Sequence, residues 1–207
     1  EQYFRKQMEL LTSAGFDALG IGSMEEPGFL REAGIELPMY FDQGMYSWNH
    51  LAGAAMERYG ADRLTIPVEL NEREIRDSGV QGEMIVYGYL PMMISAQCIR
   101  KTTLGCSGKP EIMWLKDRKD MRFPVVNQCR FCYNTIYNSA PLSLLGLSEQ
   151  VTGLKPNAVR LNFTVEEPAA AGEILDAFEE YGMSEKAAEP PVLRNQFTRG
   201  HFKRGVE

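Results

Sequence analysis

The sequence predicts an α/β fold made of consecutive parallel β-α units, and three observations predict it. Short apolar runs recur at spacings of about 20–26 residues in the first half of the chain, helical patterns lie between them, and glycines mark most transitions. Four such units with right-handed crossovers make up half of an eight-unit, TIM-like barrel, and an open doubly wound sheet is the alternative. In either architecture, reactive groups are expected at the carboxyl ends of the strands.

The composition is that of a globular chain. Its 207 residues, 44% hydrophobic and 24% charged, can bury one large core. No apolar run approaches the ~18–20 residues that cross a bilayer, and the start carries no signal region, so we expect a cytoplasmic protein. Because the chain opens with Glu1 rather than Met and leads straight into an amphipathic segment, we expect it to be a piece of a longer protein.

Apolar runs define the predicted elements of the first half. The four strands are expected at residues 16–22, 37–42, 63–69 and 82–90. Helices are expected at residues 2–14, 25–34 and 47–59, the last with four inward side chains: Leu51, Ala54, Ala55 and Met56. Asn71, followed by Glu72 and Glu74, is typical of a helix N-cap with acidic residues in the first turn.

The pattern changes after the fourth strand. Residues 112–117 and 121–126 predict a β-hairpin that separates two pairs of cysteines, residues 133–145 are expected to be partly helical, and 158–165 and 168–181 form a last strand and helix. The predicted segments are a half-barrel at residues 1–97, a four-cysteine hairpin and helix segment at 98–146, a final β-α unit at 147–183, and a linker with a basic tail at 184–207.

A basic island lies within the acidic chain. Eight basic residues stand against three acidic ones between Cys98 and Cys132, which gives +5, so the remainder of this −6 chain carries −11. Such an island predicts an anionic ligand, either a phosphate backbone or a carboxylate substrate. The alternative is a solvent-exposed hairpin whose charged side chains prevent association through its strand edges.

The four cysteines form two pairs. Seven residues separate Cys98 from Cys106, two separate Cys129 from Cys132, and twenty-two lie between the pairs. In a reducing compartment, four thiolates indicate zinc or an iron–sulfur cluster more than disulfides. A redox Cys-x-x-Cys motif and four buried apolar cysteines are the alternatives. If the hairpin folds back, the four sulfurs converge on one site.

Several runs together resemble a known family. They are EMIVYGYLPMMISAQC at 83–98, LKDR at 115–118, FPV at 123–125, the pair Cys129 and Cys132, YNSAPLSLL at 137–145, FTRGHFKRGV at 197–206, Glu69-Leu70 and the region of Asn49. Taken jointly, over roughly residues 16–206, they are similar to the peptidase U32 family, whose members are often named collagenase-like proteases. The resemblance implies a barrel-like catalytic domain represented by its second half, with the missing N-terminal half as its partner.

One departure from that family alters the expected ligand set. Many members carry His-Gly-Ala-Met-Cys or His-Gly-Ala-Leu-Cys at the end of this strand, where the present chain has Tyr87-Gly-Tyr-Leu-Pro91. Tyr87 therefore replaces the histidine and Pro91 replaces the cysteine. The four cysteines that this chain does contain would then have to supply all four thiolate ligands.

The resemblance implies two functions from different classes. One is proteolysis. The other, for several members, is hydroxylation of a tRNA or ribosomal RNA base or of a quinone ring, with prephenate and an iron–sulfur cluster. Hydrolysis needs an activated nucleophile, a metal-bound water or paired carboxylates, and neither His50 nor His201 stands beside a convincing nucleophile.

We therefore expect an iron–sulfur-dependent enzyme that hydroxylates an RNA base. Its cluster would be of the 4Fe-4S type, replaced by zinc or lost when the protein is prepared in air. The alternatives are a collagenase-like peptidase and a non-catalytic, zinc-stabilised RNA-binding module.

Candidate site residues follow from these patterns. Glu69 and Tyr87, at strand ends, are the candidate catalytic residues, although a rim salt bridge and ordinary strand packing would explain them equally. The candidate substrate-binding residues are polar or basic: Asn49, Arg100, Lys101, Arg199, His201 and Arg204. Asn49 has a helix N-cap as its alternative role. An exposed sheet edge, finally, predicts pairing with a second copy of the chain.

Overall fold

The computed structural model describes residues 2–182, 184, 188–194 and 196–206, and the chain divides into two units. The first comprises Glu1–Ile85, Gly153–Arg160 and Gly200–Glu207, and the second comprises Val86–Thr152 and Leu161–Arg199. Part of the predicted linker, residues 185–187, lies outside the described residues. Within the described part of the chain, no helix has the length and apolar character needed to span a membrane.

The first unit alternates helices and strands. In chain order its elements are α1 (Gln2–Ala14), β1 (Leu19–Ile21), α2 (Glu26–Glu32), β2 (Met39–Phe41), α3 (His50–Tyr59), β3 (Arg63–Leu64), α4 (Glu72–Ser78) and the start of β4 (Glu83–Gly88). β1, β2 and β3 pair in that order, all parallel, and Thr65 forms a parallel bridge with Glu83 at the start of β4. The predicted α/β class with consecutive parallel strands is therefore confirmed. A half-barrel built from these strands stays a prediction.

Side-chain caps fix where two of these helices begin. Asn71 and Glu74 form a reciprocal capping box, with the Asn71 side chain accepting from the Glu74 N–H at 2.9 Å. Asn49 caps α3 in the simpler way, because its Oδ1 accepts a hydrogen bond from the Ala52 N–H at 3.0 Å. The structural role that the sequence allowed for Asn49 is thus the one observed.

The face that α3 turns to the core agrees only in part with the prediction, because Met56 packs against the core but Leu51 and Ala55 are exposed. Leu51 is 67% exposed, whereas the buried position is Gly53. A Cβ at Gly53 would meet Val80 at 3.3 Å and Leu64 at 3.6 Å, so the helix packs closely where it has no side chain. The core of this unit is a cluster of buried apolar side chains: Ile21, Leu30, Phe41, Met45, Leu64 and Val80.

One arginine ties several strands of the first unit together. Arg160, in strand β10 (Ala158–Asn162), donates through Nη2 to Asp42 Oδ1 at 2.6 Å and to Thr65 Oγ1 at 3.3 Å. Its Nε lies 2.9 Å from Glu83 Oε1, too poorly aligned for a hydrogen bond but close enough for an ion pair. Because Asp42 follows β2 and Thr65 follows β3, one guanidinium links the ends of neighbouring parallel strands.

The second unit contains the end of β4 and a four-stranded antiparallel sheet. Its further elements are β5 (Pro91–Ser95), α5 (Ile99–Thr103), β6 (Ile112–Lys116), β7 (Arg122–Gln128), β8 (Tyr133–Tyr137), β9 (Leu142–Ser143), α6 (Ser148–Gly153), the end of β10 and α7 (Pro168–Tyr181). The sheet order is β5-β8-β7-β6, and β9 pairs antiparallel with the end of β4.

The helical character expected for residues 133–145 is wrong. Tyr133–Tyr137 is strand β8, and Leu142–Ser143 is strand β9. The sequence of β8 is rich in aromatic and β-branched residues, and the strand pairs on both sides, with β7 and β5. Asn127 and Asn134 are paired across this sheet and almost fully buried. Tertiary pairing has therefore outweighed an apolar spacing that also suits a helix.

Replacing Arg160 with methionine tests the importance of the polar link. We expect Arg160→Met to lower the free energy of unfolding by about 1–3 kcal/mol, because it leaves Asp42 without its cation and Glu83 with only the longer ion pair to Arg63, at 3.9 Å, while keeping most of the volume of the side chain. Urea denaturation measures the change. Arg73→Met is the matched control: Arg73 forms only an exposed ion pair with Asp77, and its loss should cost less than about 0.5 kcal/mol. Equal effects of the two substitutions would contradict the assigned role of Arg160.

Candidate functional site

The antiparallel sheet of the second unit brings the four cysteines to one end. Ser95 pairs with Asn134, and Gln128 pairs with Tyr133, so the segments that follow β5 and connect β7 to β8 leave the sheet together. Cys98 lies three residues after the end of β5, and Cys129 and Cys132 occupy the β7–β8 turn. All four cysteines are free thiols.

Local backbone geometry orients two of these thiols. Cys98 is the N-cap of α5, and its Sγ accepts from the Lys101 N–H at 3.5 Å. Cys132 has a φ of 55°, in the left-handed region, which folds the turn back so that its Sγ lies 3.8 Å from the Cys129 carbonyl oxygen. The two contacts fix the directions in which these side chains leave the backbone.

Cys129 lies at the centre of the group. Its pKa is raised, first by loss of solvation, then by the neighbouring thiols of Cys106 and Cys98, a hydrogen bond with Cys106, and the thiol of Cys132. All three other cysteines are therefore close enough to Cys129 to act on it electrostatically. In the part of the chain that the structure describes, no three His, Cys, Asp or Glu side chains are arranged to hold a metal ion. The thiols are gathered but do not form a closed ligand cage.

The basic residues next to the cysteines differ in how their charge is used. Arg100 Nε lies 2.6 Å from Glu111 Oε1, and a hydrogen bond from Ser107 followed by that of Arg100 lowers the pKa of Glu111. The charge of Arg100 is thus largely compensated within the protein. Lys101 has an exposed side chain directly beside the Cys98 cap.

The other candidate substrate-binding residues are distributed over both units. In the second unit, Arg199 pairs with Glu189, donates to the Ser143 carbonyl at 2.7 Å and lies over the Phe197 ring at 4.6 Å. In the first unit, His201 Nδ1 contacts the Gly205 carbonyl oxygen at 2.8 Å, and Arg204 is exposed. Arg199 has a structural role, whereas Arg204 is presented to solvent.

The two candidate catalytic residues have buried polar atoms of different character. Glu69 follows β3 in the first unit, and its buried Oε2 has no hydrogen-bond partner among the described residues. Tyr87, in the second unit, is 1% exposed at the end of β4. Its pKa is strongly raised, mainly by burial and then by the nearby charge of Glu166. At neutral pH the Tyr87 hydroxyl therefore keeps its proton and can only donate it in a hydrogen bond.

A cavity of about 230 Å³ opens beside Tyr87 in the second unit. Its walls combine aromatic side chains with two carboxylates: Tyr87, Tyr89, Trp114, Glu166 and Glu167. Sequence reasoning missed Glu166 and Trp114. Glu166 lies between the predicted strand at residues 158–165 and the predicted helix at 168–181, and the acidic run Glu166-Glu167-Pro168 at that strand end is the local signal that could have found it.

The backbone at the end of β4 needs glycine to position Tyr87. Gly88 has a φ of 144°, and a Cβ there would lie 2.3 Å from the Asn162 carbonyl oxygen at the end of β10. No other residue allows the two chain segments to approach so closely. The backbone next to Tyr87 is thus closely packed where these two strands end.

The sequence model of peptidase family U32 matches residues 2–184. This chain belongs to peptidase family U32. The match confirms the resemblance found in the sequence motifs. No curated protein and no solved structure matches the chain.

In this U32 chain the position expected to carry a cysteine has a backbone role. Pro91 is the first residue of β5, is exposed and pairs with Tyr137 across the sheet. Proline is tolerated at that first position because the missing N–H is not needed there. The thiols of the second unit are therefore that of Cys129 and the three gathered around it.

The raised pKa of Cys129 predicts its reactivity. In reduced, metal-free protein, iodoacetamide should modify Cys129 more slowly than the exposed Cys106 at about pH 7, because a raised pKa leaves less thiolate. The rate at Cys129 should rise as the pH increases towards that pKa. Peptide mass spectrometry over a pH series measures both rates in one sample, with Cys106 as internal control. Equal rates at neutral pH would show that Cys129 does not lie among the other thiols.

Proposed function

We propose that this U32 chain is part of an enzyme that hydroxylates an RNA base with the help of an iron–sulfur cluster. The observation that carries the proposal is the gathering of three thiols around that of Cys129, at a sheet end that also presents Lys101. Family membership alone leaves the reaction open. The chemistry of the side chains favours this reaction over the alternatives.

The donor set fits an iron–sulfur cluster. Cys98, Cys106, Cys129 and Cys132 would hold it, because clusters are bound by cysteine thiolates, commonly four. When bound, such a cluster supplies one-electron chemistry. A thiol must lose its proton before it can act as a ligand, and the raised pKa of Cys129 makes that loss less favourable. The Lys101 N–H donates to Cys98 Sγ at 3.5 Å and so orients this side chain.

Tyr87 and Tyr89 suit the binding and orientation of a substrate ring. Burial followed by the charge of Glu166 raises the pKa of Tyr89 as well as that of Tyr87, so both hydroxyls act as donors rather than as bases. RNA bases that leave the stack are held by aromatic side chains and by hydrogen bonds to their edges. We therefore assign Tyr87 a positioning role. Glu69, with its unpaired buried oxygen, is the remaining candidate for moving a proton.

The peptidase interpretation has less support from the side chains present. His201 Nδ1 contacts a backbone carbonyl, and His50 is exposed at the start of α3. Among the described residues, neither histidine has a hydrogen bond to a serine or cysteine that it could activate. A four-thiolate zinc site would be closed and structural, which corresponds to the non-catalytic RNA-binding alternative.

The proposal extends to the fold and to partners. The parallel strands of the first unit would form half of a TIM-like barrel that a preceding part of the same protein completes. In the absence of that part, an unpaired sheet edge would favour association of two copies. Prephenate would be the co-substrate that the resemblance to the family implies.

Iron content tests the cluster directly. Protein purified without oxygen should contain iron and acid-labile sulfide in equal amounts, with visible absorbance that reduction bleaches. Cys129→Ser should remove most of the iron and reduce hydrogen-exchange protection in residues 98–145, because ligation energy is also folding energy. Ser107→Ala is the matched control, since Ser107 bonds to Glu111 rather than to a thiol.

Three outcomes of that experiment are informative. Wild-type protein that stays free of iron after anaerobic reconstitution would overturn the cluster. Full iron content in Cys129→Ser would remove this residue from the ligand set. Stoichiometric zinc in place of iron would favour the structural RNA-binding module.

Charge reversal tests RNA binding. Lys101→Glu and Arg204→Glu should each weaken the binding of single-stranded RNA and reduce the salt slope by about one, as expected when one phosphate contact is lost. These two side chains are exposed, whereas Arg100 and Arg199 have internal carboxylate partners whose loss would destabilise the fold. Lys6→Glu, an exposed substitution in α1, is the control. Fluorescence anisotropy at several salt concentrations measures affinity and slope, and unchanged values in both variants would refute the contact.

A further inference from the structure

The cavity beside Tyr87 contains an acceptor that the protein does not satisfy. Glu166 Oε2 accepts hydrogen bonds from the Thr164 and Val165 N–H groups, at 2.6 and 2.9 Å, so the carboxylate is held in one orientation. Glu166 Oε1 is buried and accepts no hydrogen bond of normal geometry from the described residues. A fixed, desolvated carboxylate oxygen without a donor is unfavourable unless a ligand supplies one.

The other walls of the cavity define the shape of such a ligand. Tyr89 and Trp114 present aromatic surface, while Val165, Ile174 and Leu193 make the remainder largely apolar. The volume of about 230 Å³ is smaller than the ~300–1,000 Å³ of pockets for drug-sized molecules, so a single ring fits better than a fused system. Aromatic walls also attract a cation that lies over their faces.

The charges that line the cavity determine which sign of charge a ligand can carry. Glu166 and Glu167 both line it, and no lysine or arginine is among the described residues of its wall. A carboxylate or phosphate would meet two like charges and would leave Oε1 without a donor. An amino or amidinium group would donate to Oε1 in a charge-assisted hydrogen bond.

We propose that this cavity is a binding site for a planar single ring that carries an amino or amidinium group, with Glu166 Oε1 as its acceptor and Tyr89 and Trp114 against the ring. The proposal does not depend on the hydroxylation chemistry or on the cluster. It makes Glu166 the residue that determines which ligands enter.

Benzamidine is a suitable probe because it joins an amidinium to one aromatic ring. The chain contains two tryptophans, so Trp48→Phe leaves Trp114 as the only indole reporter of the cavity. In that background, benzamidine should change the Trp114 fluorescence in a saturable manner, and calorimetry should give the same dissociation constant. Benzoate, the anionic isostere, should give no saturable change.

Two glutamine substitutions separate the role of Glu166 from general charge. Glu166→Gln should weaken benzamidine binding by about tenfold or more, as expected for loss of one charge-assisted hydrogen bond. Glu167 lines the same cavity, and Glu167→Gln removes the same charge. This substitution should change the affinity for benzamidine by no more than about twofold, as expected for a screened surface charge. Circular dichroism and thermal unfolding establish that each variant is folded.

A third variant keeps the proposal testable if Glu166→Gln does not fold. Ala170→Leu places a larger side chain in the cavity wall and leaves the carboxylate intact, so it should abolish benzamidine binding by occupying the space. Absence of saturable benzamidine binding to the otherwise wild-type chain would overturn the proposal. Equal affinity for benzoate, or an unchanged affinity in folded Glu166→Gln, would overturn it as well.

Discussion

The first unit depends on one guanidinium that reaches three strands. The β strands here are short, two or three residues in β1, β2 and β3, so backbone pairing alone gives few hydrogen bonds. Arg160 adds hydrogen bonds to Asp42 and Thr65 and an ion pair with Glu83. All of these groups lie at strand boundaries, so the arginine links the strands where their backbone pairing begins or ends. Parallel order and side-chain electrostatics therefore act at the same positions.

In the second unit, the register of the antiparallel strands determines which segments lie close together. The β6–β7 hairpin and the pairing of β8 with both β5 and β7 decide which loops emerge at the same end of the sheet. The two cysteine pairs, separated by twenty-two residues in sequence, meet for that reason. Closing a loop of this length adds little entropic penalty, since the penalty grows only with the logarithm of length. A one-residue slip of β8 would reverse its faces and separate the thiols.

How much could be predicted from the sequence varied with the range of the interactions involved. The consecutive parallel strands and the Asn71 cap were predictable because glycines at element boundaries and helix-capping patterns are local signals. Strand β8 was not, since its apolar spacing also suits a helix and only pairing with β7 decides between them. Gly53 is buried instead of Leu51 because it lies against Val80. This residue is outside α3, so the pattern of the helix alone could not indicate the contact. Arg199 looked available for phosphate, yet Glu189, ten residues earlier, compensates it.

The end of β4 illustrates how a substitution changes what a site can do. Where the resemblance to the family places histidine, Tyr87 has a pKa raised by burial and then by Glu166, so it holds a proton across the physiological range. A histidine there would exchange its proton near neutrality. Tyr87 therefore turns a position suited to proton transfer into a fixed donor, while Glu166 remains a fixed acceptor in the same cavity. A donor and an acceptor held in place by Gly88 and by backbone N–H groups discriminate between ligands by hydrogen bonding. In the proposed function, selection of the ring and chemistry on it would therefore be carried out by different residues, and proton transfer would be assigned to a group other than Tyr87.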